Sequence, residues 1–216
     1  SRGELTGGGK ANAAAVASPV AGVKPPARPE RWSETVFDVI EWRRFEAVVE
    51  RMFQQAGFVT RSQSHGADGG VDVWLYTHQH PRTPVGAVQC KHWQGKRIGV
   101  DKIRELKGVM AARGIERGHF AATTTFTDDA IAFAQSARVN LLDVTRLLDV
   151  IAKRTAQQQA ELLAVALEGD YWCPTCVNCG VKMIYRQRRS DGSPFWGCAN
   201  YRTCKTPRIP MRVASK

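Results

Sequence analysis

The stretch GADGGVDVWLYT at residues 66–77 and the stretch GAVQCKHW at residues 86–93 decide the fold. Both are rich in β-branched and aromatic residues, which favour strands. The loop that joins them carries Pro81 and Pro84, and proline is typical of turns rather than of strand interiors. The two stretches are therefore predicted to pair as antiparallel strands, with the glycine-rich turn delivering Asp72 into the first of them.

The second strand is predicted to carry polar residues on one face. Side chains alternate along a strand, so Gln89 and Lys91 point to one face while Val88 and Cys90 point to the other. We expect Cys90 to be a buried core thiol. Antiparallel pairing brings Asp72 opposite the segment from Gln89 to Lys91, although the spacing alone leaves the register open.

Helices and two further strands surround this pair. The predicted order α-β-β-β-α-β-α-β-α indicates an α/β fold, with a mixed five-stranded sheet flanked by helices and the last two strands parallel after crossovers. The predicted elements are a helix over 38–55 with a capping box of Asp38 and Glu41 and an end at Gly57, strands over 57–64, 71–77 and 86–93, a helix over 99–114, a strand over 118–126, a helix over 128–137 capped by Thr127, a strand over 139–144, and a long helix over 145–168 whose Gln-rich middle serves as a spacer.

The composition indicates a globular protein with an anionic partner. The 216 residues are 43% apolar and carry a formal net charge of +11, which points to nucleic acid or an acidic membrane surface. No run of about 18 apolar residues occurs, so nothing in this chain is predicted to span a membrane. Residues 1–30 contain no aromatic residue and are predicted to form a flexible tail. A start at Ser1 rather than Met indicates a fragment or a processed form and leaves an upstream anchor open.

The polar residues of the strand pair have the composition of a metal-dependent hydrolytic site. Carboxylate and amide oxygens such as those of Asp72 and Gln89 bind Mg²⁺, which aligns an attacking water and polarises a phosphate. Lys91 would stabilise the charge that develops on the phosphoryl oxygens. One carboxylate is a thin anionic site for a divalent ion, and Glu46, at the rim of the apolar stripe of the first helix, is the natural second one.

Each of these residues also has a simpler interpretation. An aspartate after a Gly-Gly turn often belongs only to the turn, and a lysine in a strand often guards a sheet edge. Glu46 beside an apolar stripe can simply face water. His65, Asp68 and His92 are interpreted as turn or surface residues rather than catalytic ones.

The order and spacing of these residues resemble those of a known family. Residues 38–151 are similar to the catalytic domain of Mrr-like restriction endonucleases, in the PD-(D/E)xK nuclease superfamily, through the runs FEAVVERMFQQAGF, GADGGVDVWLY, VQCKHW, GVDKIRELKGVMAA and HFAATTTFTDDAIAFA. In that family Gln-x-Lys replaces Glu-x-Lys, which matches Gln89 and Lys91, and the metal-binding aspartate and the helix glutamate match Asp72 and Glu46. The resemblance implies a restriction-endonuclease-like core that cuts foreign or modified DNA with Mg²⁺.

Cysteines cluster near the end of the chain. Five of the six lie in the last fifth, which favours a metal site over a disulfide framework and therefore a reducing, intracellular setting. Two pairs on two knuckles suit a tetrahedral Zn²⁺ in a unit too small to fold without it. Because a glycine follows CVNC, the predicted ligands are Cys176, Cys179, Cys198 and Cys204. Cys173 is then spare, and its exchange with Cys176 is the alternative.

The same segment resembles the four-cysteine zinc finger at the C terminus of bacterial type I topoisomerases, through CVNCGVKM and FWGCANYRTC, although that family usually has Pro where Arg202 stands. The resemblance implies DNA binding, often to single strands. Residues 171–216 also hold nine Lys or Arg against one acid, and basic groups can follow a phosphate backbone while aromatic faces stack on bases. The alternative is a structural ribbon whose aromatics, Phe195 foremost, form its own core. The predicted DNA contacts are Arg186, Trp196, Tyr201 and Arg202.

These features together predict a Mg²⁺-dependent DNA endonuclease of the bacterial cytoplasm, in which one domain cuts DNA and a zinc ribbon grips it. Two alternatives stand beside it: a non-cleaving DNA-binding accessory protein and a junction-processing repair nuclease. Cutting both strands needs two active sites, so we expect a homodimer or a pair assembled on DNA, and no small-molecule substrate. The predicted domains are a tail over 1–30, a nuclease domain over 31–154, a helical linker over 155–171 and a zinc ribbon over 172–216.

Overall fold

The computed structural model describes residues 23–62, 70–93 and 95–211. Most of the predicted tail, the predicted turn residues His65 and Asp68, and most of the glycine turn lie outside these ranges. None of the described helices is long and apolar enough to cross a bilayer. The elements are α1 (Glu34–Val39), α2 (Trp42–Gln55), β1 (Val59–Ser62), β2 (Val73–Tyr76), β3 (Gly86–Lys91), α3 (Val100–Ala112), β4 (Arg117–Ala122), α4 (Asp128–Ala137), β5 (Val139–Leu142), α5 (Val144–Ala152), α6 (Ala156–Ala166), β6 (Met183–Gln187), β7 (Pro194–Cys198) and β8 (Ile209–Pro210).

The larger sheet has five strands in the order β1-β2-β3-β4-β5. The first three strands pair antiparallel, since short connections join them in a meander. β3, β4 and β5 pair parallel, because α3 and α4 supply the crossovers between them. The predicted α/β fold with a mixed five-stranded sheet is confirmed, including the parallel arrangement of its last two strands.

Helices cover both faces of this sheet. On the first face α1, α2, α5 and α6 pack against strand residues that include Val88 and Cys90. On the second face α3 and α4 pack against residues that include Ala87 and Trp74. The predicted alternation along β3 is therefore confirmed for its apolar members, and Cys90, with 5% of its surface exposed, is a core thiol as expected.

The helix predicted over 38–55 is two helices, and its predicted capping box is wrong. Ile40 has an extended backbone with φ −78° and ψ 149°, and only 2% of it is exposed, because the chain turns there to bury it in the first core. Asp38 lies inside α1. Glu41 is instead the N-cap of α2, where its side chain accepts a hydrogen bond from the Arg43 amide. Gly57, with φ 91°, follows the end of α2 as predicted.

The long helix predicted after β5 is also two helices. Thr155 caps α6, and its side chain and that of Gln158 form reciprocal hydrogen bonds with each other's amides. The Gln-rich run is therefore the first turn of a helix and not a spacer. Leu162 and Ala166 of α6 are fully buried in the first core beside α2. The segment 155–171, predicted as a helical linker, thus packs as part of the core.

The C-terminal segment forms a separate small sheet of three antiparallel strands in the order β6-β7-β8. Its core contains Met183, Trp196 and the buried residues Cys173, Cys176 and Cys198. Few large apolar side chains take part, so this unit has little hydrophobic burial with which to offset the entropy of folding. This three-stranded unit is called the ribbon below.

Candidate active site and cysteine cluster

The carboxylate of Asp72 lies where β2 begins beside β3. Its Oδ2 accepts a hydrogen bond of 2.6 Å from the Cys90 amide, and its own amide donates to the Val88 carbonyl at 2.9 Å. Asp72 directly precedes β2 rather than lying inside the strand as predicted. Since β2 and β3 are the second and third strands, the carboxylate is held at strand ends in the middle of the sheet and not at a sheet edge.

The amide of Gln89 is buried beside the end of the glycine turn. Gln89 is 2% exposed, and a Cβ on Gly70 would lie 2.7 Å from its Nε2 atom. Gly70 also has φ 83°, so glycine is required there for two reasons. The Oε1 atom of Gln89 is buried and has no hydrogen-bond partner among the described residues. An unsatisfied buried oxygen costs about 1–3 kcal/mol, which a bound ion or water would offset.

Glu46 faces this region from α2. Its pKa is raised to about 8, first by burial and next by the negative charge of Asp72. Arg43 and Lys91 act in the opposite direction, while Glu41 adds a smaller upward effect. Glu46 does not simply face water: the fold holds it near the second carboxylate and the lysine of the predicted site.

Asp72 is also a weakened acid. Burial raises its pKa to about 6, against the hydrogen bond from the Cys90 amide and the positive charge of Lys91, which both lower it. The mutual effects of Asp72, Lys91 and Glu46 place these three predicted residues in one electrostatic unit. These effects indicate that the three groups lie near one another, and their role as one site stays a prediction.

The donor set fits a small divalent cation. Two carboxylates that burial disfavours in their charged form gain most from a nearby cation, because the cation offsets the charge that the interior solvates poorly. The unpartnered oxygen of Gln89 is a neutral ligand of the type that Mg²⁺ and Ca²⁺ accept. Lys91 is an ammonium group, so it can serve a phosphate but not the metal.

Two charged neighbours of Glu46 were missed by the sequence analysis. Arg43 and Glu50 lie one turn before and one turn after it on α2, so they share its face. Glu50 accepts hydrogen bonds from the hydroxyls of Thr60 at 2.7 Å and Ser62 at 2.5 Å, which tie α2 to β1. The helical spacing from Glu46 was the signal that could have identified both.

His92 is half-buried and packed, so its interpretation as a turn or surface residue is wrong. Its Nε2 atom lies 3.1 Å from the Phe37 carbonyl, and its ring packs against Phe45 with 5.8 Å between centroids. Burial lowers its pKa, which favours the neutral ring. His92 therefore joins the end of β3 to α1.

The four predicted zinc ligands form a cluster. The sulfur atoms of Cys176, Cys179, Cys198 and Cys204 lie within 4.8 Å of one another, with 3.6 Å between the Cys176 and Cys204 sulfurs and 3.4 Å between the Cys179 and Cys198 sulfurs. Tetrahedral zinc with Zn–S bonds of about 2.3 Å needs sulfurs about 3.8 Å apart. The cluster thus fits the size and donor chemistry of a structural zinc ion.

Neighbouring polar groups favour the thiolates of Cys176 and Cys204, whereas burial raises the pKa of Cys198 to about 12. The Thr206 hydroxyl lies 2.9 Å from the Cys176 sulfur and 3.0 Å from the Cys204 sulfur. Burial acts to raise the pKa of Cys176, but the hydrogen bonds of Thr206 and of the Cys179 and Asn178 amides lower it to about 6. Thr206 was missed from the sequence, where only its position two residues after a cysteine marks it.

Cys173 stands apart from the cluster. Its thiol donates to the Met183 carbonyl at 3.0 Å, and burial raises its pKa to about 11. A thiol that keeps its proton and already has a partner is a poor zinc ligand. The geometry favours the predicted set over the exchange of Cys173 for Cys176.

Three of the four predicted DNA contacts line one open cavity of the ribbon. Arg186, Tyr201 and Arg202 all border this cavity, whose volume is about 1080 Å³. Tyr201 is 49% exposed, which leaves its ring free to meet a base. The other arginines of the cavity wall are Arg188, Arg189 and Arg208.

The prediction that Trp196 stacks on DNA is wrong. Trp196 is 5% exposed and packs edge-on against Trp172, with 5.6 Å between ring centroids. Phe195, which the alternative interpretation placed in the ribbon core, is buried at 6% exposed beneath the guanidinium of Arg208. The ribbon therefore buries part of its aromatic surface in its own packing, while its arginines and Tyr201 face the outside.

Residues 37–151, slightly more than half of the chain, match a restriction endonuclease family, Mrr_cat. Among curated proteins, the type IV methyl-directed restriction enzyme EcoKMrr of Escherichia coli is 30% identical over 137 residues, which cover 60% of this chain and 44% of that protein. The uncharacterized protein y4cE of Sinorhizobium fredii is 29% identical over 99 residues, which cover 45% of this chain and 25% of that protein. The chain thus spans less than half the length of either relative.

Two solved structures are similar to the chain at low identity. The DNA modification-dependent restriction endonuclease AspBHI aligns with a TM-score of 0.47 at 18% identity, over 68% of this chain and 45% of AspBHI. The MspJI restriction endonuclease, solved in complex with a 27-mer oligonucleotide, aligns with a TM-score of 0.44 at 19% identity, over 72% of this chain and 36% of MspJI.

The raised pKa of Glu46 predicts how stability depends on pH in the absence of Mg²⁺. The folded state keeps the Glu46 proton where the unfolded chain has lost it, so this group makes the free energy of unfolding fall as pH rises from 4.5 to about 8. Glu46→Gln removes the free-energy cost of ionising this side chain in the folded state. At pH 8.5 the variant should be more stable than the wild type by at least about 1 kcal/mol, since each pKa unit corresponds to about 1.4 kcal/mol. The free energies of unfolding of the variant and the wild type should become equal near pH 4.5.

Urea unfolding in Mg²⁺-free buffer at several pH values checks this expectation. Glu161→Gln is the matched control, because a hydrogen bond from Arg51 lowers the pKa of Glu161, and removal of its charge should bring no gain at high pH. Equal stability of Glu46→Gln and the wild type at pH 8.5 would contradict the raised pKa of Glu46 and the burial that is its main cause.

Proposed function

Because the chain belongs to the Mrr_cat family of restriction endonucleases, we propose that it hydrolyses the phosphodiester bonds of DNA in a Mg²⁺-dependent reaction. The observation that carries the proposal is the group formed by Asp72, Lys91 and Glu46 beside the buried oxygen of Gln89, which has no hydrogen-bond partner in the part of the chain that the structure describes. Two half-buried carboxylates, an amide oxygen and an ammonium group supply the ligands and the cation that metal-assisted phosphodiester hydrolysis uses.

Each residue has a separate task in this proposal. Asp72, Glu46 and Gln89 hold the Mg²⁺ ion through oxygen atoms. When bound, the ion acidifies and aligns a water molecule and neutralises charge on the phosphate. The Cys90 amide fixes one oxygen of Asp72 and leaves the other oxygen available as a ligand. Lys91 donates hydrogen bonds to the phosphoryl oxygens as negative charge develops there.

The substrate is proposed to be foreign or modified DNA. The name of EcoKMrr describes a methyl-directed enzyme, and we propose the same preference here. Cleavage of both strands requires two such sites, so two copies of this chain would act together on one DNA molecule. A junction-processing repair nuclease would use the same residues and differ only in the shape of its substrate.

Cleavage of methylated and unmethylated plasmid DNA, with and without Mg²⁺, tests the proposal. We expect cleavage only with Mg²⁺ and a preference for the methylated plasmid. Lys91→Ala should reduce the rate by about 10²–10³-fold, which is the usual effect of losing one group that stabilises transition-state charge. The variant should still bind DNA and Mg²⁺, because Lys91 is not a metal ligand.

Lys96→Ala is the matched control, since Lys96 lies five residues further along the chain with its ammonium group 5.8 Å from the Trp93 ring. Its cleavage rate should stay within about threefold of the wild-type rate, as expected of a surface cation outside the reaction. If neither plasmid is cut while wild type and Lys91→Ala bind DNA equally, the protein is a non-cleaving DNA-binding protein. Cleavage confined to junction or flap DNA would assign it to repair.

We propose that the ribbon holds one structural zinc ion through Cys176, Cys179, Cys198 and Cys204. Support comes from the sulfur distances and from the hydrogen bonds of Thr206 to two of the sulfurs. When bound, the ion links the two knuckles and supplies the folding energy that the small core lacks.

Metal analysis of purified protein should find one equivalent of zinc per chain. Cys176→Ser should lose the zinc, because three sulfurs no longer close the tetrahedral site. Cys173→Ser should keep it, since the Cys173 sulfur contacts a carbonyl rather than the cluster. If Cys176→Ser kept its zinc and Cys173→Ser lost it, Cys173 would be the zinc ligand in place of Cys176.

We further propose that the arginine-lined cavity of the ribbon holds the DNA backbone.

Arg202→Ala should weaken DNA binding to a similar extent for all sequences and reduce the slope of log K against log salt by about 1, since one phosphate contact is lost. Fluorescence anisotropy over a salt series measures both quantities. Arg113→Ala is the control, because Arg113 lies over the Trp74 ring on the nuclease core and outside the cavity. If Arg202→Ala and the wild type had equal salt slopes, the cavity would not bind the DNA backbone.

A further inference from the structure

Glu41 is a buried carboxylate at the junction of the ribbon and the nuclease core. Its side chain is only 3% exposed and accepts hydrogen bonds from the Arg43 amide at 3.2 Å, the Thr175 amide at 3.2 Å and the Thr175 hydroxyl at 3.1 Å. The ammonium group of Lys182 also donates to it at 3.2 Å. Three of these four donors come from the C-terminal segment, so a residue of the nuclease core depends on that segment for its partners.

The donors from this segment are held next to the cysteine cluster. Thr175 directly precedes Cys176 and forms an isolated antiparallel bridge with Lys182. The Cys176 amide donates to the Val181 carbonyl at 2.8 Å, which closes the same loop. The shape of this knuckle therefore decides whether Thr175 and Lys182 reach Glu41, and a zinc ion on Cys176 would maintain that shape.

Glu41 also determines where α2 begins. It is the N-cap, its carbonyl accepts from the amides of Arg44 and Phe45, and its own amide donates to the Tyr171 carbonyl at 2.7 Å. Glu46 follows five residues later, which at 1.5 Å per residue is about 7.5 Å along a rigid helix. A shift of the cap therefore moves Glu46 by a comparable distance.

A second contact ties the same turn to the knuckle. The indole nitrogen of Trp42, the first residue of α2, donates to the Thr175 carbonyl at 2.8 Å. Thr175 thus bonds through its amide, its hydroxyl and its carbonyl to two consecutive residues at the start of α2. Such a set of bonds fixes both the position and the direction of the helix start.

We infer that Glu41 is a positioning residue through which the zinc-loaded ribbon fixes the start of α2, and with it Glu46, relative to Asp72. The inference rests on the proposed function for the role of Glu46 as a metal ligand. The ribbon is then a part of the nuclease site that also binds DNA, rather than a DNA-binding unit on a tether. Its loss would reduce catalysis even on DNA that is already bound.

Hydrogen exchange with and without zinc tests this coupling directly. In the wild type, removal of zinc by a chelator should speed the exchange of amides 43–47 by about tenfold or more, since the cap loses its partners and the first turn opens more often. In Glu41→Gln the same amides should exchange fast whether zinc is present or not. The variant should keep its zinc, because Glu41 contacts none of the four sulfurs.

Asp143→Asn is the matched control. Asp143 caps α5 by accepting from the Arg146 amide, so it is a carboxylate cap whose partner lies within its own helix. This variant should leave the zinc dependence of amides 43–47 intact. The inference is overturned if zinc removal leaves these amides unchanged in the wild type, if Glu41→Gln retains the full zinc dependence, or if Glu41→Gln loses zinc.

Steady-state cleavage adds a readout of catalysis. Glu41→Gln should lower kcat by about tenfold or more with KM nearly unchanged, since misplacement of a catalytic group by a fraction of an ångström is costly. Asp143→Asn should leave both constants unchanged. Lys182→Met replaces Glu41→Gln if the latter does not fold, because it removes the cation from the ribbon side and should likewise speed exchange of amides 43–47. If the wild type cuts no DNA, the proposed function fails, and the exchange experiment still decides the coupling.

Discussion

The partial burial of two carboxylates next to Lys91 is the constraint on which the candidate site depends. Glu46 and Asp72 both have raised pKa values because the interior solvates their charges poorly. A fold that served stability alone would gain by replacing them with apolar residues of similar size. Instead, a short hydrogen bond from the Cys90 amide holds Asp72 in place. The arrangement makes sense when a cation supplies the missing positive charge.

The sheet and the polar residues of β3 could be predicted because they follow from local rules. Alternation along β3 identified Cys90 as buried, and crossovers identified the parallel strands, without knowledge of any contact. The hydrogen bond between Asp72 and the Cys90 amide was not predictable, since it depends on a register that spacing leaves open. The same holds for the Gln89 amide, whose Nε2 atom lies close to Gly70 and whose Oε1 atom has no hydrogen-bond partner among the residues that the structure describes.

Two of the wrong predictions have a common physical cause, which is burial that sequence periodicity does not reveal. Ile40 interrupts an otherwise continuous helical pattern because the first core takes its side chain. Trp196 has the surroundings of a base-stacking residue, among arginines on a basic ribbon, yet Trp172 from outside the finger motif covers it. In both cases a tertiary partner distant in sequence overrides a local pattern.

The carboxylate of Glu41 links the cysteine cluster to the nuclease site, and its charge has to be balanced there. The charge of Glu41 raises the pKa of Glu46, so an isolated Glu41 would make Glu46 easier to protonate. Lys182, at 3.2 Å from Glu41, supplies a positive charge that offsets this effect, and Thr175 satisfies the remaining lone pairs. Docking of the ribbon thus makes a buried charge tolerable at the start of α2. A nuclease core without these partners would hold three buried or half-buried carboxylates on or beside one helix, so the contacts of Thr175 and Lys182 with Glu41 favour docking of the ribbon on the core.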